Sequence, residues 1–288
     1  MSTLKNPYAP FDAALKAAFE ANIRAALLED IGSGDLTGRL VPEKAMAKAR
    51  VIVREDAVLC GAPWFEAVMH QVDARICISW KHAEGEKMAA GSEVCAIEGP
   101  ARAILTAERS ALNFLQLLSG VATSTRRHVE VIAGTKAVVL DTRKTLPGLR
   151  LAQKYAVRVG GGGNQRLALY DGILIKENHI AAAGGVAAAL QAAAAMKVNA
   201  PVQIEVEDMN ELQQALAAGA TSILLDNFDL QGMRDAVALT AGRALLEASG
   251  GVNLETLRGI AETGVDRISV GALTKDVQAT DYSLRIID

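Results

Sequence analysis

Val202–Asp226 reads VQIEVEDMNELQQALAAGATSILLD: a short apolar run, an Ala-rich stretch with helical spacing, and a second apolar run closing on a carboxylate. This is the pattern of a strand, a crossover helix and a parallel strand. Runs of the same kind stand at AVVLD (137–141), YAVRV (155–159), ILIK (173–176), ALLEA (244–248) and RISVG (267–271), mostly with helical, Ala-rich sequence between them. Seven strands are therefore expected, and such repetition leaves a doubly wound sheet or a (β/α) barrel. Polar or glycine clusters follow nearly every run: Asp141-Thr142-Arg143-Lys144, Gly160–Gly163, Lys176-Glu177-Asn178-His179, Glu205 with Glu207, Asp226-Asn227, Ser249-Gly250-Gly251 and Ser269-Val270-Gly271. Chemistry spread over all the strand ends fits a barrel, where those ends converge on one mouth.

The first part of the chain has another texture. An amphipathic helix over 11–28 precedes the loop EDIGSGDLTG, and short β-like runs (ARVIVRE, RICISW, VCAIEG) surround a helical APWFEAVMHQV. That arrangement predicts an α+β sandwich. The segment from Ile104 to Ile132 reads as a long helix linking the two parts, and Arg109 lies within it. The fold class is α/β.

Half of the 288 residues are apolar and the net charge is −3, which suits a globular protein with a sizeable core. The pI near 5.9 argues against a nucleic-acid partner. No apolar run is long enough to span a bilayer and no secretory pattern opens the sequence, so no membrane association and a cytoplasmic setting are expected. Cys60, Cys77 and Cys95 lack metal or disulfide spacing and are expected to be inert core thiols.

Against the acidic whole, residues 141–179 gather Arg143, Lys144, Arg150, Lys154, Arg158, Arg166 and Lys176, and cations there outnumber carboxylates. Converging positive groups in a recess point to a small, multiply anionic substrate. Arg143 offers a planar fork for carboxylate and Lys144 a point charge for phosphate. Lys176 closes an apolar strand, where it serves either as a phosphate contact or as a Schiff-base nucleophile. His179 reads as an orienting residue, since no second histidine stands at ligand spacing. The glycines at 160–163 lack the remainder of a phosphate-loop motif, whereas those at 249–251 and 269–271 follow the last two strands, where barrels often cradle phosphate. Glu205 and Glu207 share a strand face beside Asp226 and could bind Mg²⁺ together with ribose hydroxyls and a diphosphate.

These motifs resemble those of the quinolinate phosphoribosyltransferase family. EDIGSGDLT, AERSALNFLQLLSGVAT, DTRKTLPGLR, GGGGNQRLALYDGILIKENHI, IEVE, LLDN, EASGGVN and ISVGALT occur in order over nearly the whole chain. The resemblance implies an N-terminal α+β sandwich over 1–116, an incomplete (β/α) barrel over 117–275, and a tail over 276–288 that returns to the first domain. It implies transfer of the phosphoribosyl group of 5-phosphoribosyl-1-pyrophosphate (PRPP) to quinolinate with decarboxylation, requiring Mg²⁺ and no organic cofactor. Arg143 and Arg166 would hold quinolinate, with Thr142 and Gln165 beside them. Lys144 and Lys176 would meet the phosphoribosyl donor, Glu205 and Asp226 the ribose and Mg²⁺, and Ser249, Gly250, Gly251, Ser269, Val270 and Gly271 the 5-phosphate. Arg109 would enter a neighbouring subunit's site, making the working unit a homodimer or larger. The family usually has His-Arg where this chain has Gln165-Arg166, so a neutral amide replaces an imidazole. Two other readings stay open at this point: a barrel aldolase using Lys176, and a non-catalytic oxyanion-binding relative.

Overall fold

A computed structural model of the chain describes residues 2–287, so what was expected of Met1 and Asp288 lies outside the described residues. In chain order the elements begin with α1 (Ala13–Ile31), β1 (Met46–Val53), β2 (Ala57–Val58), α2 (Ala62–Val72), β3 (Cys77–Trp80), β4 (Lys87–Met88), β5 (Glu93–Pro100) and α3 (Ala101–Val131). Next come β6 (Val138–Leu140), α4 (Arg150–Val159), β7 (Ile173–Ile175), α5 (Glu177–Ala183), α6 (Val186–Ala195), β8 (Val202–Val206) and α7 (Met209–Ala217). The chain then forms β9 (Ser222–Asp226), α8 (Leu230–Thr240), β10 (Leu245–Ser249), α9 (Leu254–Ala261), β11 (Arg267–Ser269), α10 (Ala272–Lys275) and β12 (Tyr282–Ile287). Among the described residues no helix is long and apolar enough to cross a membrane.

Two compact units form. The first takes the described residues up to Arg126, residues 145–161 and the chain from Asp276 onward; the second takes residues 127–144 and 162–275. The division thus falls inside α3 rather than at 116/117, and the segment 145–161 joins the first unit. The cause is α4. YAVRV, expected as a strand, is the last half of this helix: Ala152, Tyr155, Ala156 and Val159 recur at helical spacing and are buried. Tyr155 packs its ring 5.3 Å from Trp64 and 5.2 Å from Phe11. A short apolar run does not by itself separate strand from buried helix.

In the first unit, antiparallel strands order as β12-β1-β5-β3. Ala49, Val51 and Val53 of β1 point into the core in alternation with exposed or half-buried neighbours, as one buried face of a sheet requires. Trp64, Phe65, Val68 and Met69 of α2 are fully buried, each contributing about 2 kcal/mol by leaving water. The C-terminal segment joins through Tyr282, which pairs with Val53, and through Thr280, whose N–H donates to Gln116 O at 3.0 Å. Gly120 makes this possible: a Cβ there would stand 2.1 Å from Gln278 O. Cys60 and Cys95 are buried, and burial pushes both thiols up; Cys77, by contrast, is partly exposed and not a core thiol.

In the second unit six parallel strands order as β6-β11-β10-β9-β8-β7. Gln203 on β8 and Glu247 on β10 are hydrogen-bonded at 2.9 Å although β9 lies between their strands. Ser269 on β11 also donates to Glu247. Side chains of alternate strands meet in this way only across the inside of a curled sheet. The edges β6 and β7 do not pair, so the barrel is incomplete. Gly163 extends the β6 edge, its N–H donating to Val139 O at 2.8 Å. Asp208, Asp229 and Asn253 cap α7, α8 and α9 with side-chain acceptors, each worth about 1 kcal/mol, and so fix where the helices start after their strands.

Candidate active site

Thr142, Arg143 and Lys144 leave the end of β6 as a turn. The Lys144 N–H donates to Thr142 Oγ1 at 3.0 Å, and Thr274 Oγ1 donates to Lys144 O at 2.8 Å. The stem of Lys144 crosses Gly271, where a Cβ would sit 3.2 Å from Lys144 Cδ. Thr142, Lys144 and Gly271 are thereby brought together, with the lysine exposed. Arg166 donates from Nη1 to Gly172 O at 2.9 Å, just ahead of β7. Burial and the nearby Arg143 guanidinium both pull its pKa below the ordinary arginine value. Asp171 opposes that shift with its own charge.

Lys176 ends β7, and its Nζ donates to both oxygens of Glu205 on β8, at 3.0 and 2.9 Å. Glu205 is 7% exposed; burial raises its carboxyl pKa, the Lys176 contact opposes this, and Asp226 on β9 adds to the rise. Asp226 Oδ2 accepts from Asn227 Nδ2 at 2.9 Å. Gly250 takes a φ of +104° and lies so close to Asn227 that a Cβ would come within 2.2 Å of its Oδ1. The ends of β9 and β10 are thus interlocked, the Asn227 N–H also donating to Ser249 O at 3.1 Å. His179 Nδ1 accepts from the Lys176 N–H at 3.0 Å and closes the start of α5, an orienting role.

Several of the expected site residues have side chains engaged within the fold. The Gln165 amide, expected to face substrate, turns inward: Nε2 lies 2.9 Å from Gln203 Oε1 and from both oxygens of Glu247. The Ser269 hydroxyl donates to Glu247, and the Val270 N–H donates to Leu140 O at 2.9 Å. Arg150, Lys154 and Arg158 belong to α4 in the first unit, with Lys154 only 1% exposed. Gly160 serves close packing on α3, with a Cβ position 2.6 Å from Ala122 O, and Gly163 serves the β6 edge. Glu207 lies beyond β8 and is exposed. Arg109 is exposed on α3 in the first unit. Sequence reasoning missed Asp141, Gln203 and Glu247, all buried; the signal was a polar residue inside an apolar strand, or at its end.

Glu205 and Asp226 are the carboxylates available to a metal, but among the described residues no three His, Cys, Asp or Glu groups converge as a cage. Both Glu205 oxygens already accept from Lys176. This donor set fits a hard divalent ion that arrives with a diphosphate and keeps its waters, rather than a resident ion caged by protein.

The sequence matches two family descriptions, "Quinolinate phosphoribosyl transferase, N-terminal domain" over residues 35–119 and "Quinolinate phosphoribosyl transferase, C-terminal domain" over residues 121–285. It is 40% identical over 262 residues to the "Probable nicotinate-nucleotide pyrophosphorylase [carboxylating]" of Bacillus subtilis (strain 168), covering 90% of each chain. It is 42% identical over 269 residues to the nicotinate-nucleotide pyrophosphorylase [carboxylating] of Mycobacterium leprae (strain TN), covering 91% of this chain and 95% of the relative. The solved structure of nicotinate-nucleotide pyrophosphorylase from Francisella tularensis superposes with a TM-score of 0.93 at 43% identity, over 99% of this chain and 100% of that one. The chain belongs to the quinolinate phosphoribosyltransferase family.

Proposed function

We propose that this chain transfers the phosphoribosyl group of PRPP to the nitrogen of quinolinate, with release of pyrophosphate and CO₂ and formation of nicotinate mononucleotide. The observation that carries the reading is the Lys176–Glu205 pair following β7 and β8, together with a partly buried Arg166 whose pKa is lowered by burial and then by the nearby Arg143 guanidinium. Neighbouring guanidinium forks suit a vicinal dicarboxylate.

In this reading Arg143 and Arg166 orient the pyridine ring by its carboxylates. Lys144 and Lys176 neutralise phosphate oxygens as the C–O bond to pyrophosphate lengthens. Glu205 and Asp226 face the positive charge that develops at the anomeric carbon, and the ring nitrogen closes on that carbon. The bound ring, now cationic at nitrogen, holds the electron pair left on the ring carbon when the adjacent carboxylate departs as CO₂, and that carbon then takes up a proton from water to give nicotinate mononucleotide. Glu205 and Asp226 would also hold Mg²⁺, whose charge supplies further neutralisation of the diphosphate when it is bound. Ser249, Gly250, Gly251 and Gly271 remain the proposed contacts of the 5-phosphate.

The assignment extends to a homodimer or larger assembly, supported by the exposure of Arg109 on α3, which supplying a neighbour's site demands. A cytoplasmic setting is supported by three cysteines without disulfides, as in a reducing compartment. Within the chain, 2–126 with the returning C-terminal segment is proposed as the sandwich domain and the second unit as the catalytic barrel. An aldolase role fits poorly, because the Lys176 amine is held as a donor to two carboxylate oxygens. The test is formation of nicotinate mononucleotide from quinolinate and PRPP by the purified protein, with nicotinate as the control acid; no product from quinolinate would refute the proposal.

A further inference from the structure

Resting on the assignment of Arg166 as a carboxylate contact, we infer that Gln165 and Glu247 form a clip that positions Arg166, and that Gln165 does not bind substrate. The loop from Gln165 to Ala168 has no regular secondary structure, yet each of its four N–H groups donates to a side-chain oxygen. Gln165 N–H reaches Asp141 Oδ1 at 2.9 Å, Arg166 N–H reaches Gln165 Oε1 at 2.8 Å, and Leu167 and Ala168 reach the two oxygens of Asp171 at 2.7 Å. The guanidinium itself donates from Nη1 to Gly172 O at 2.9 Å. Arg166 is thus aimed by its surroundings at both ends.

Gln165 is the member that ties this loop to the barrel interior. Its carbonyl oxygen accepts from the Arg166 backbone while its amide nitrogen donates to Glu247, which is 1% exposed and also receives Gln203 and Ser269. A buried carboxylate is tolerated when donors surround it, and here those donors come from β8, β11 and the loop. An amide can do both tasks at once because it carries an acceptor and two donors on one planar group. Were Gln165 to swing toward a bound diacid, Glu247 would lose a donor and the Arg166 N–H its acceptor.

The test exchanges the two partners. Gln165→Glu sets two carboxylates against each other and should raise KM for quinolinate roughly tenfold or more, leaving KM for PRPP within about twofold. Gln165→Glu combined with Glu247→Gln rebuilds the amide–carboxylate pair in reverse and should bring KM for quinolinate back to within about threefold of wild type. A residue that touched quinolinate would keep its new carboxylate facing the substrate in the double variant, and a KM that stayed high would overturn the inference. Gln165→Ala is the companion should the acid variant not fold, and must raise KM for quinolinate selectively; equal effects on both KM values, or none, would sink the idea. Amide hydrogen exchange, measured without substrate, supplies a readout independent of the reaction: exchange over 165–168 should accelerate roughly tenfold in Gln165→Ala. Unchanged exchange overturns the clip, whereas a wild-type protein that never consumes quinolinate would refute the functional assignment and leave this measurement standing.

Discussion

Glu84 offers a pH-dependence whose size follows from its surroundings. It is 2% exposed, accepts from the Gly61 and Ala62 N–H groups at the start of α2 at 2.8 and 3.2 Å, and accepts from Tyr155 Oη at 2.9 Å. Burial outweighs these donors and pushes its pKa from an ordinary 4.5 up to about 7. A raised carboxyl pKa means the fold favours the protonated form. The stabilisation is complete below pH 4.5 and is lost as the pH climbs through about 7. At about 1.4 kcal/mol per pH unit across that interval, the loss is about 3 kcal/mol. The variant Glu84→Gln keeps an acceptor for the helix N-terminus and has no proton to lose, so its stability should not fall over the same interval. Urea unfolding followed by intrinsic fluorescence reads the right unit, since both tryptophans, Trp64 and Trp80, lie in it. The difference between wild type and variant isolates Glu84 from carboxyls such as Asp35 and Asp73, whose lowered values act in the opposite sense at lower pH. Parallel curves for the two proteins between pH 4.5 and 7 would refute the argument.

Three further outcomes are expected. Arg143→Ala should lower kcat/KM for quinolinate by about 2 to 5 kcal/mol of transition-state binding, since it removes one of two convergent guanidiniums; near-normal steady-state turnover would contradict the assignment. Inactive Arg109→Ala and Lys144→Ala subunits, mixed in equal amounts, should recover roughly a quarter of wild-type activity in a statistical dimer with shared sites; no recovery after verified exchange of labelled subunits would remove Arg109 from the site. Gly250→Ala must adopt a φ of +104° and clear Asn227 Oδ1, so a loss of about 1 to 3 kcal/mol in stability is expected, with a higher KM for PRPP; denaturation midpoints and kinetics equal to wild type would contradict it.

Most of the barrel was legible because its strands are short apolar runs between capped helices, and VQIEV, SILLD, LLEAS, RIS, VVL and ILI all form strands. YAVRV misled because four apolar residues in five satisfy either period; only the preceding Ala152 reveals the helical stripe. Motif positions predicted which residues stand at strand ends but not the direction of each side chain. Lys176, following β7, and Glu205, within β8, meet as a salt bridge, since a charged group in or beside an apolar strand has few stable orientations. Gln165 and Ser269 are neutral and can face either way; the buried Glu247 decides. The same reasoning that singled out Lys176 would have singled out Glu247, a charged residue in the middle of ALLEA, had it been applied to strand interiors as well as strand ends.

The Lys176–Glu205 pair suggests how such a site stays folded without its substrates. Arg143, Lys144, Arg166 and Lys176 are the proposed substrate cations, and Glu205 and Asp226 the carboxylates proposed to face the ribose. An unanswered charge would be destabilising beside a Glu205 that is only 7% exposed. Lys176 and Glu205 answer each other, and Arg166 stands on a loop tied to Asp141, Glu247 and Asp171 through side chains, with Asp171 also answering its charge. The proposed substrates invert this balance: a dicarboxylate satisfies the two arginines, and a diphosphate lets Lys176 exchange one anionic partner for another while Glu205 turns to the developing cation. The interactions that appear only as bonds break are those that accelerate the reaction.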